Sequence, residues 1–278
     1  MTKLREFLRG RSLAEFYDSG WGPTALELFA AHLAAYAAKG NNVLDLGCGT
    51  GAVTRYAADH ADPDARIVGL DPTPWMLEAA RSNPDNADNI EWVEGCGEDM
   101  PFEDNSFDVV LCHQGWQYVT DIENTFLEMK RVAKPGGLVA GGVWASSDNQ
   151  QLSLAYIEEA IGRHFGTEHV PLHAWGFGGL DELRKQAETA ELEIIGLETK
   201  VFPWRFDSIQ HLAYTHVAGA GRTDENGQIA MGLVDLDDPK SDQIADAFTA
   251  DLEEHLRDTV TSEGVRVPFA SDILVARA

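Results

Sequence analysis

Cysteine and lysine are scarce in this chain, and no apolar stretch is long. Three cysteines, Cys48, Cys96 and Cys112, stand far apart in 278 residues. Their odd number and wide spacing exclude a disulfide framework and a CxxC metal site. Only 7 lysines accompany 14 arginines, and against these 21 cations stand 46 Asp and Glu, a formal charge of −25. That balance weighs against nucleic acid and anionic membrane surfaces as partners, because both would be repelled. No run approaches the roughly 18 apolar residues of a membrane span. The opening MTKLREFLRGRSLAEFYDSG mixes charged with apolar residues, unlike a secretory leader, so the cytoplasm is the expected compartment. His164, His169 and His173 are irregularly spaced with no cysteine nearby, and no metal is expected on them.

What remains is the composition of a globular protein, with 44% hydrophobic residues. The carboxylates run along the whole chain rather than forming a tail. Two readings fit them: a soluble, self-repelling surface, or adaptation to a salty cytoplasm in which screening relieves the repulsion.

The first half is regular. Residues 12 to 39 read as helical, with Gly40 as a stop. NVLDLGC is a short buried strand and AVTRYAADHA a helix; ARIVGLDPTP is a second strand ending at Asp71. PWMLEAARSN is a helix with Pro74 in its first turn. NIEWVEGC and SFDVVLCHQ are the third and fourth strands, IENTFLEMKRVA a helix halted by KPGG, and LVAGGVW the fifth strand. Strands alternating with helices in this way predict a doubly wound parallel sheet in an α/β fold. Beyond Trp144 the pattern loosens into helical stretches and an aromatic, glycine-rich loop. A sixth strand follows at ELEIIGLETKVFPW, then a helical stretch from about 207 to 262 broken by GAGRTDENGQ, then a last strand in GVRVPFASDILVARA.

The chemistry concentrates in NNVLDLGCGTGAV, residues 41 to 53. In a parallel sheet, ligands bind outside the carboxyl ends of the strands, near the point where strand order reverses. Gly47, Gly49 and Gly51 lie at that place, and their missing side chains let the backbone approach a bulky ligand. Asp71, at the end of the second strand, is positioned to accept both hydroxyls of a ribose. GCGTGA satisfies the dinucleotide pattern G-x-G-x-x-G/A, so a nicotinamide or flavin nucleotide, and an NAD(P)-dependent oxidoreductase, is one reading. Asp45 points to another. A carboxylate at the lip of the first strand repels a pyrophosphate but attracts an ammonium group. A ligand with a ribose, an adenine and a cationic amino-acid end is S-adenosylmethionine.

VLDLGCGTG, GLDPTPWML, GEDMPFEDNSFDVVLC and EMKRVAKPGGLVAGGVW, in that order over roughly residues 40 to 145, resemble the class I S-adenosylmethionine-dependent methyltransferases. Within them the chain is most similar to the small-molecule branch that includes the ubiquinone and menaquinone biosynthesis methyltransferases. The resemblance implies a seven-stranded sheet in order 3-2-1-4-5-7-6, with the last strand antiparallel. It implies a cofactor loop at Asp45, Gly47, Cys48, Gly49 and Gly51, a ribose ligand at Asp71 with Pro72 beside it, a cofactor contact at Cys112, and His113 and Gln114 under the methionine end. The family commonly places an aspartate after the third strand to meet the adenine amino group. Here that place holds Cys96, a weak acceptor, so the contact passes to Gly97, Glu98 or Asp99. A non-catalytic protein that retains the cofactor fold is the third reading.

Methyl transfer from a sulfonium needs alignment and exclusion of water more than a charged triad. The domain organisation expected is an N-terminal helical segment at 1–40, a cofactor core at 41–145, and a cap insertion at 146–180. A core helix and strand occupy 181–204, a helical cap insertion 205–264, and the final core strand 265–278. The insertions are expected to form a substrate cap. Trp116, Tyr118, His173, Trp175 and His216 are the candidate substrate contacts, in company with Gln117, Phe177, Trp204 and Tyr214, although any one of these aromatics can equally pack in a core. Their number favours a small apolar or planar acceptor over a protein; a homodimer is compatible with the sequence. His113, on the fixed scaffold at the end of strand four, is the candidate general base.

Overall fold

The strand Asn42–Leu46 is buried along nearly its whole length, the pattern of a strand covered on both faces. A computed structural model describes residues 2–8, 16, 27–39, 41–145, 152–166, 177–219, 221–223, 229–231, 233–235 and 237–278. In chain order the elements are α1 (Lys3–Leu8), α2 (Glu27–Ala34), β1 (Asn42–Leu46), α3 (Ala52–His60), β2 (Arg66–Asp71), α4 (Pro74–Ser82), β3 (Ile90–Glu94) and β4 (Phe107–His113). They continue with α5 (Ile122–Val132), β5 (Ala133–Trp144), α6 (Leu152–Phe165), α7 (Gly179–Thr189), β6 (Glu193–Phe206) and α8 (Ile209–Gly219). A hairpin of β7 (Gly221–Thr223) and β8 (Ile229–Met231) follows, then α9 (Pro239–His255), β9 (Val260–Thr261) and β10 (Gly264–Arg277).

The sheet runs β3-β2-β1-β4-β5-β10-β6, with β9 paired to β10. The pairs β1–β2, β1–β4, β2–β3 and β4–β5 are parallel, and β10 is antiparallel to β5. This is the expected order, with β10 in the seventh place. Strand order reverses between β1 and β4, so the carboxyl ends of those two strands frame the natural ligand position.

The chain divides into two compact units. One comprises residues 27–149, 173–200 and 270–278 and holds most of the sheet. In its core Leu44, Leu70, Val110, Phe126, Met129, Leu183 and Leu274 pack together on one face. Helix α5 is started by Asp121, whose carboxylate accepts the Asn124 N–H at 3.0 Å. It buries Thr125, Phe126, Met129 and Val132, one face of a helix. Its last turn also explains why MPFEDNSFD and EMKRVAKPGG occur together. Arg131 donates to the carbonyls of Met100 and Phe102 and to Asp104, while Glu128 accepts the Met100 N–H at 2.8 Å and pairs with Arg131 at 2.6 Å. These two motifs form a clamp that shapes the strand-four entrance; neither carries chemistry.

The other unit comprises residues 1–26, 150–172 and 201–269. Trp204 stacks on Phe269 with centroids 4.1 Å apart, and Asp251 of α9 gathers Tyr156, Arg163 and His164 of α6. The break expected at GAGRTDENGQ within the helical stretch from 207 to 262 holds β7, which pairs antiparallel with β8, a reversal that glycine-rich sequence supports. The long N-terminal helix expected from 12 to 39 is described as α2 followed by a 3₁₀ turn at Ala37–Lys39, with residues 9–15 and 17–26 outside the described residues.

Surface pairs such as Arg5–Asp237 at 2.6 Å and Arg66–Glu91 at 2.7 Å are exposed and contribute little. Even complete pairing would leave 25 negative charges uncompensated. Raising KCl from about 0.1 M to 1 M shortens the screening length from about 10 Å to about 3 Å. Thermal unfolding is therefore expected to move upward by several degrees over that range. A melting temperature that falls or stays constant in calorimetry would show that self-repulsion is not a significant destabilising force.

Candidate active site

Three glycines follow β1, and each is bare for a different reason. All three adopt left-handed backbone, with φ of +68° at Gly47, +53° at Gly49 and +88° at Gly51. Gly47 and Cys48 both donate their N–H to the Leu70 carbonyl, at 2.8 and 3.1 Å, which folds the loop back over β2. A side chain at Gly47 would press on Gly115, so the loops after β1 and β4 touch there. At Gly51 a Cβ would collide with the indole of Trp92 on β3. Only Gly49 faces open space, with nothing within 4 Å of the position its Cβ would take. Gly49 is thus the glycine of this loop whose missing side chain leaves open space, while at Gly47 and Gly51 it makes room for the protein itself.

Two carboxylates border this loop. The Asp71 Oδ2 accepts the Gly49 N–H at 2.8 Å and its Oδ1 accepts the Thr73 N–H at 2.8 Å. Burial pushes its pKa up, and the two amide donors oppose the shift. Asp45, 1% exposed, accepts the Thr54 hydroxyl at 2.6 Å on Oδ2. Its Oδ1 is enclosed and has no partner. Burial raises the Asp45 pKa to about 7 against the pull of Thr54, and the neighbouring Asp71 adds to the rise. An unpaired, buried carboxylate oxygen is costly, and its cost is recovered when a cation or donor arrives.

The remaining candidates are distributed as follows. Pro72 is exposed and Cys96 part-buried with a free thiol. Gly97 is buried, and a Cβ there would press on Thr125. Glu98 is engaged by the loop that precedes α5. Its Oε1 accepts the Thr120 N–H at 2.8 Å, the Thr120 hydroxyl at 2.9 Å and the Asp121 N–H at 3.3 Å. Burial pushes its carboxyl up, but these donors outweigh burial and hold it below its ordinary value. Burial also pushes the Cys48 and Cys112 thiols well above their ordinary range, so neither is a thiolate.

His113 ends β4 with its ring 4.6 Å from that of Phe29 and its Nε2 enclosed without a partner. Burial drives its pKa down to about 3. It is therefore neutral near pH 7, and because burial disfavours its protonated form it is a weak proton acceptor. Gln114, next in sequence, is buried in left-handed backbone at φ +57°. Its Nε2 donates to Ser271 at 3.2 Å and its Oε1 accepts from Gln117 at 3.1 Å. A non-glycine residue held this way costs on the order of 1 kcal/mol or more and marks a constrained site.

Of the candidate substrate contacts, Trp116 is 1% exposed, packs on Phe126 and donates its indole N–H to the Met129 sulfur, so it belongs to the core. His216 is buried in the second unit, bonded to the Leu212 carbonyl at 2.8 Å beside Trp204. Both are corrected to packing roles, as the apolar neighbours of each leave no open face. Tyr118, 49% exposed, is available at the carboxyl end of the sheet. His173 and Trp175 lie outside the described residues. Thr54, Gly69 and Trp92 carry no local signal of their own; their part in the site follows from the β1–β2–β3 register.

Residues 44–141 match the family of methyltransferase domains. The matched span takes in β1 to most of β5 and is similar to methyltransferase domains. A stretch of 104 residues is 40% identical to the demethylmenaquinone methyltransferase of Listeria welshimeri, covering 37% of this chain and 44% of that protein. The chain thus spans less than half the length of the curated relatives it matches. Among solved structures, a candidate sarcosine dimethylglycine methyltransferase from Galdieria sulphuraria superposes with a TM-score of 0.58 at 19% identity, over 95% of this chain and 97% of that one. A candidate methyltransferase from Bacillus halodurans gives 0.56 at 21%, over 89% and 97%. At these identities the structural likeness establishes the fold. The glycine loop, Asp45 and Asp71 stand together at one end of the sheet. No helix among the described residues is long and apolar enough to cross a membrane.

Proposed function

We propose that the protein is an S-adenosylmethionine-dependent methyltransferase acting on a small, apolar or aromatic molecule in the cytoplasm. The observation that carries the reading is the enclosed, unpaired Oδ1 of Asp45 beside a glycine loop whose one open position, Gly49, is hydrogen-bonded to Asp71. That set of acceptors fits a ligand with an ammonium at one end and ribose hydroxyls at the other. It is hostile to the pyrophosphate of a dinucleotide, which would meet two carboxylates. The name of the matched relatives, demethylmenaquinone methyltransferase, supports a small apolar acceptor. Three free cysteines among the described residues suit a reducing compartment.

When bound, S-adenosylmethionine supplies a methyl group on a sulfonium. Asp45 holds the ammonium, Asp71 accepts from the ribose hydroxyls, and Gly49 gives backbone access between them. Tyr118 offers an exposed aromatic face to the acceptor. Neutral His113 orients and packs at the end of β4, so alignment carries the rate. Accordingly, His113→Gln is expected to lower turnover by less than about 10-fold and to leave the pH profile in place, whereas loss of a general base costs roughly 100-fold or more. A 100-fold fall with a flattened profile would restore the base role. The functional reading itself is tested by incubating the protein with methyl-labelled S-adenosylmethionine and a cell extract, then identifying labelled products by mass spectrometry. Failure to bind the cofactor in calorimetry, or binding of NAD instead, would overturn it.

A further inference from the structure

Trp92 ties together the two segments that hold the candidate nucleoside site. On β3 it is paired with Gly69 of β2. A Cβ on Gly69 would lie 2.7 Å from Cε3 and from Cζ3 of the indole, so the ring lies across that glycine. The far side of the same ring reaches Gly51, where a Cβ would come within 2.8 Å of Cζ3. One indole thus occupies the space of two absent side chains. Gly69 stands two residues before Asp71, on the same face of β2. Gly51 stands two residues after Gly49 and receives the first turn of α3, with the Arg55 N–H bonded to its carbonyl at 3.0 Å. The Gly49 N–H to Asp71 Oδ2 bond at 2.8 Å closes the other side of this frame. Trp92, Gly69–Asp71 and Gly49–Gly51 therefore form a ring of contacts, and the indole fixes how far the loop stands from the strand.

We infer that Trp92 is a positioning residue for nucleoside binding, setting the separation of Gly49 from Asp71 through Gly51 and Gly69. It touches neither reacting atoms nor the open face of the loop. The inference rests on the S-adenosylmethionine reading above and says which part of the chain pre-shapes that site. Shortening the ring removes one end of the frame before the other. Phe at position 92 still covers Gly69 but falls short of Gly51, while Ala covers neither.

The test uses the full chain, with S-adenosylhomocysteine and its 2′-deoxy form as probes in calorimetry, at a temperature where every variant is folded. Val109→Ala, a buried substitution on β4 away from the loop, is the control for general destabilisation. Trp92→Ala is expected to weaken S-adenosylhomocysteine by at least 10-fold, Trp92→Phe by less, and Val109→Ala by under 2-fold. Removing the 2′-hydroxyl is expected to cost the wild type several-fold and Trp92→Ala almost nothing, because Asp71 no longer stands at the required distance. Gly69→Ala is expected to weaken binding as Trp92→Ala does, and Gly69→Ala with Trp92→Val to recover part of the loss. The inference fails if Trp92→Ala keeps wild-type affinity, or if its loss equals that of Val109→Ala, or if its penalty for the missing 2′-hydroxyl is that of the wild type. A wild type that binds neither probe overturns the cofactor reading directly, and that result is visible without any variant.

Discussion

Asp71→Ala is expected to weaken S-adenosylmethionine binding by roughly 1.5 to 3 kcal/mol, about 10- to 150-fold, the scale of removing a hydrogen-bonded charge. The sequence reading places this carboxylate at a ribose, and the structure gives it a second task in the loop. Both oxygens already accept backbone donors, from Gly49 and Thr73. Truncation leaves two N–H groups to find new partners, so a loss of thermal stability on the order of 1 to 2 kcal/mol accompanies the loss of affinity. The two effects separate through a thermodynamic cycle. If Asp71 meets the ribose, removing a ribose hydroxyl from the ligand weakens binding to the wild type and not to Asp71→Ala. Equal sensitivity of both proteins to the missing hydroxyl would falsify the ribose assignment and leave Asp71 as a loop fastener alone.

Periodicity made the α/β core legible because each parallel strand is a short apolar run and each crossover helix carries one buried stripe. β1 and α5 are clear instances. The meeting of Asp45, the glycines and Asp71 was also legible, since they lie at strand ends that any doubly wound sheet brings together. What a sequence does not contain is the partner across the sheet. Gly51 and Gly69 read as ligand-facing loop and plain strand until the β2–β3 register sets Trp92 opposite Gly69. Glu98 stands where an adenine contact was needed, yet the amides of Thr120 and Asp121 claim it, and nothing within a few residues announces that. Trp116 and His216 resemble binding residues by type alone. Their fates were decided by the apolar neighbours that enclose them. Composition reports which groups exist, and burial decides which of them remain able to ionise or to touch a ligand. His113 illustrates the second point: its position suits a base, and its burial disfavours the protonated form that a base must reach.

Asp45→Asn is expected to weaken cofactor binding and to strengthen the unliganded fold, two changes of opposite sign from one carboxylate. Burial holds the Asp45 pKa at about 7, against 3.8 for an unhindered aspartate. The folded chain therefore binds this proton more tightly than the unfolded chain. As pH rises from about 4 through 7 the folded state alone resists ionising, and its stability falls. A shift of this size corresponds to an upper bound on the order of 4 kcal/mol. The neutral Asn keeps an acceptor for the Thr54 hydroxyl and has no charge to bury. Near pH 8 the melting temperature of Asp45→Asn should exceed that of the wild type by several degrees, and the difference should vanish near pH 4. The cofactor reverses the balance, because an ammonium beside Oδ1 favours the ionised carboxylate. Wild-type affinity for S-adenosylmethionine should fall as pH drops below about 7, approaching tenfold per unit, while Asp45→Asn binds weakly and evenly at every pH. Calorimetry at pH 5.5, 6.5 and 8 on both proteins measures this. A wild type whose affinity is flat across that range, with Asp45→Asn equal to it, would remove the ammonium contact from the proposed site.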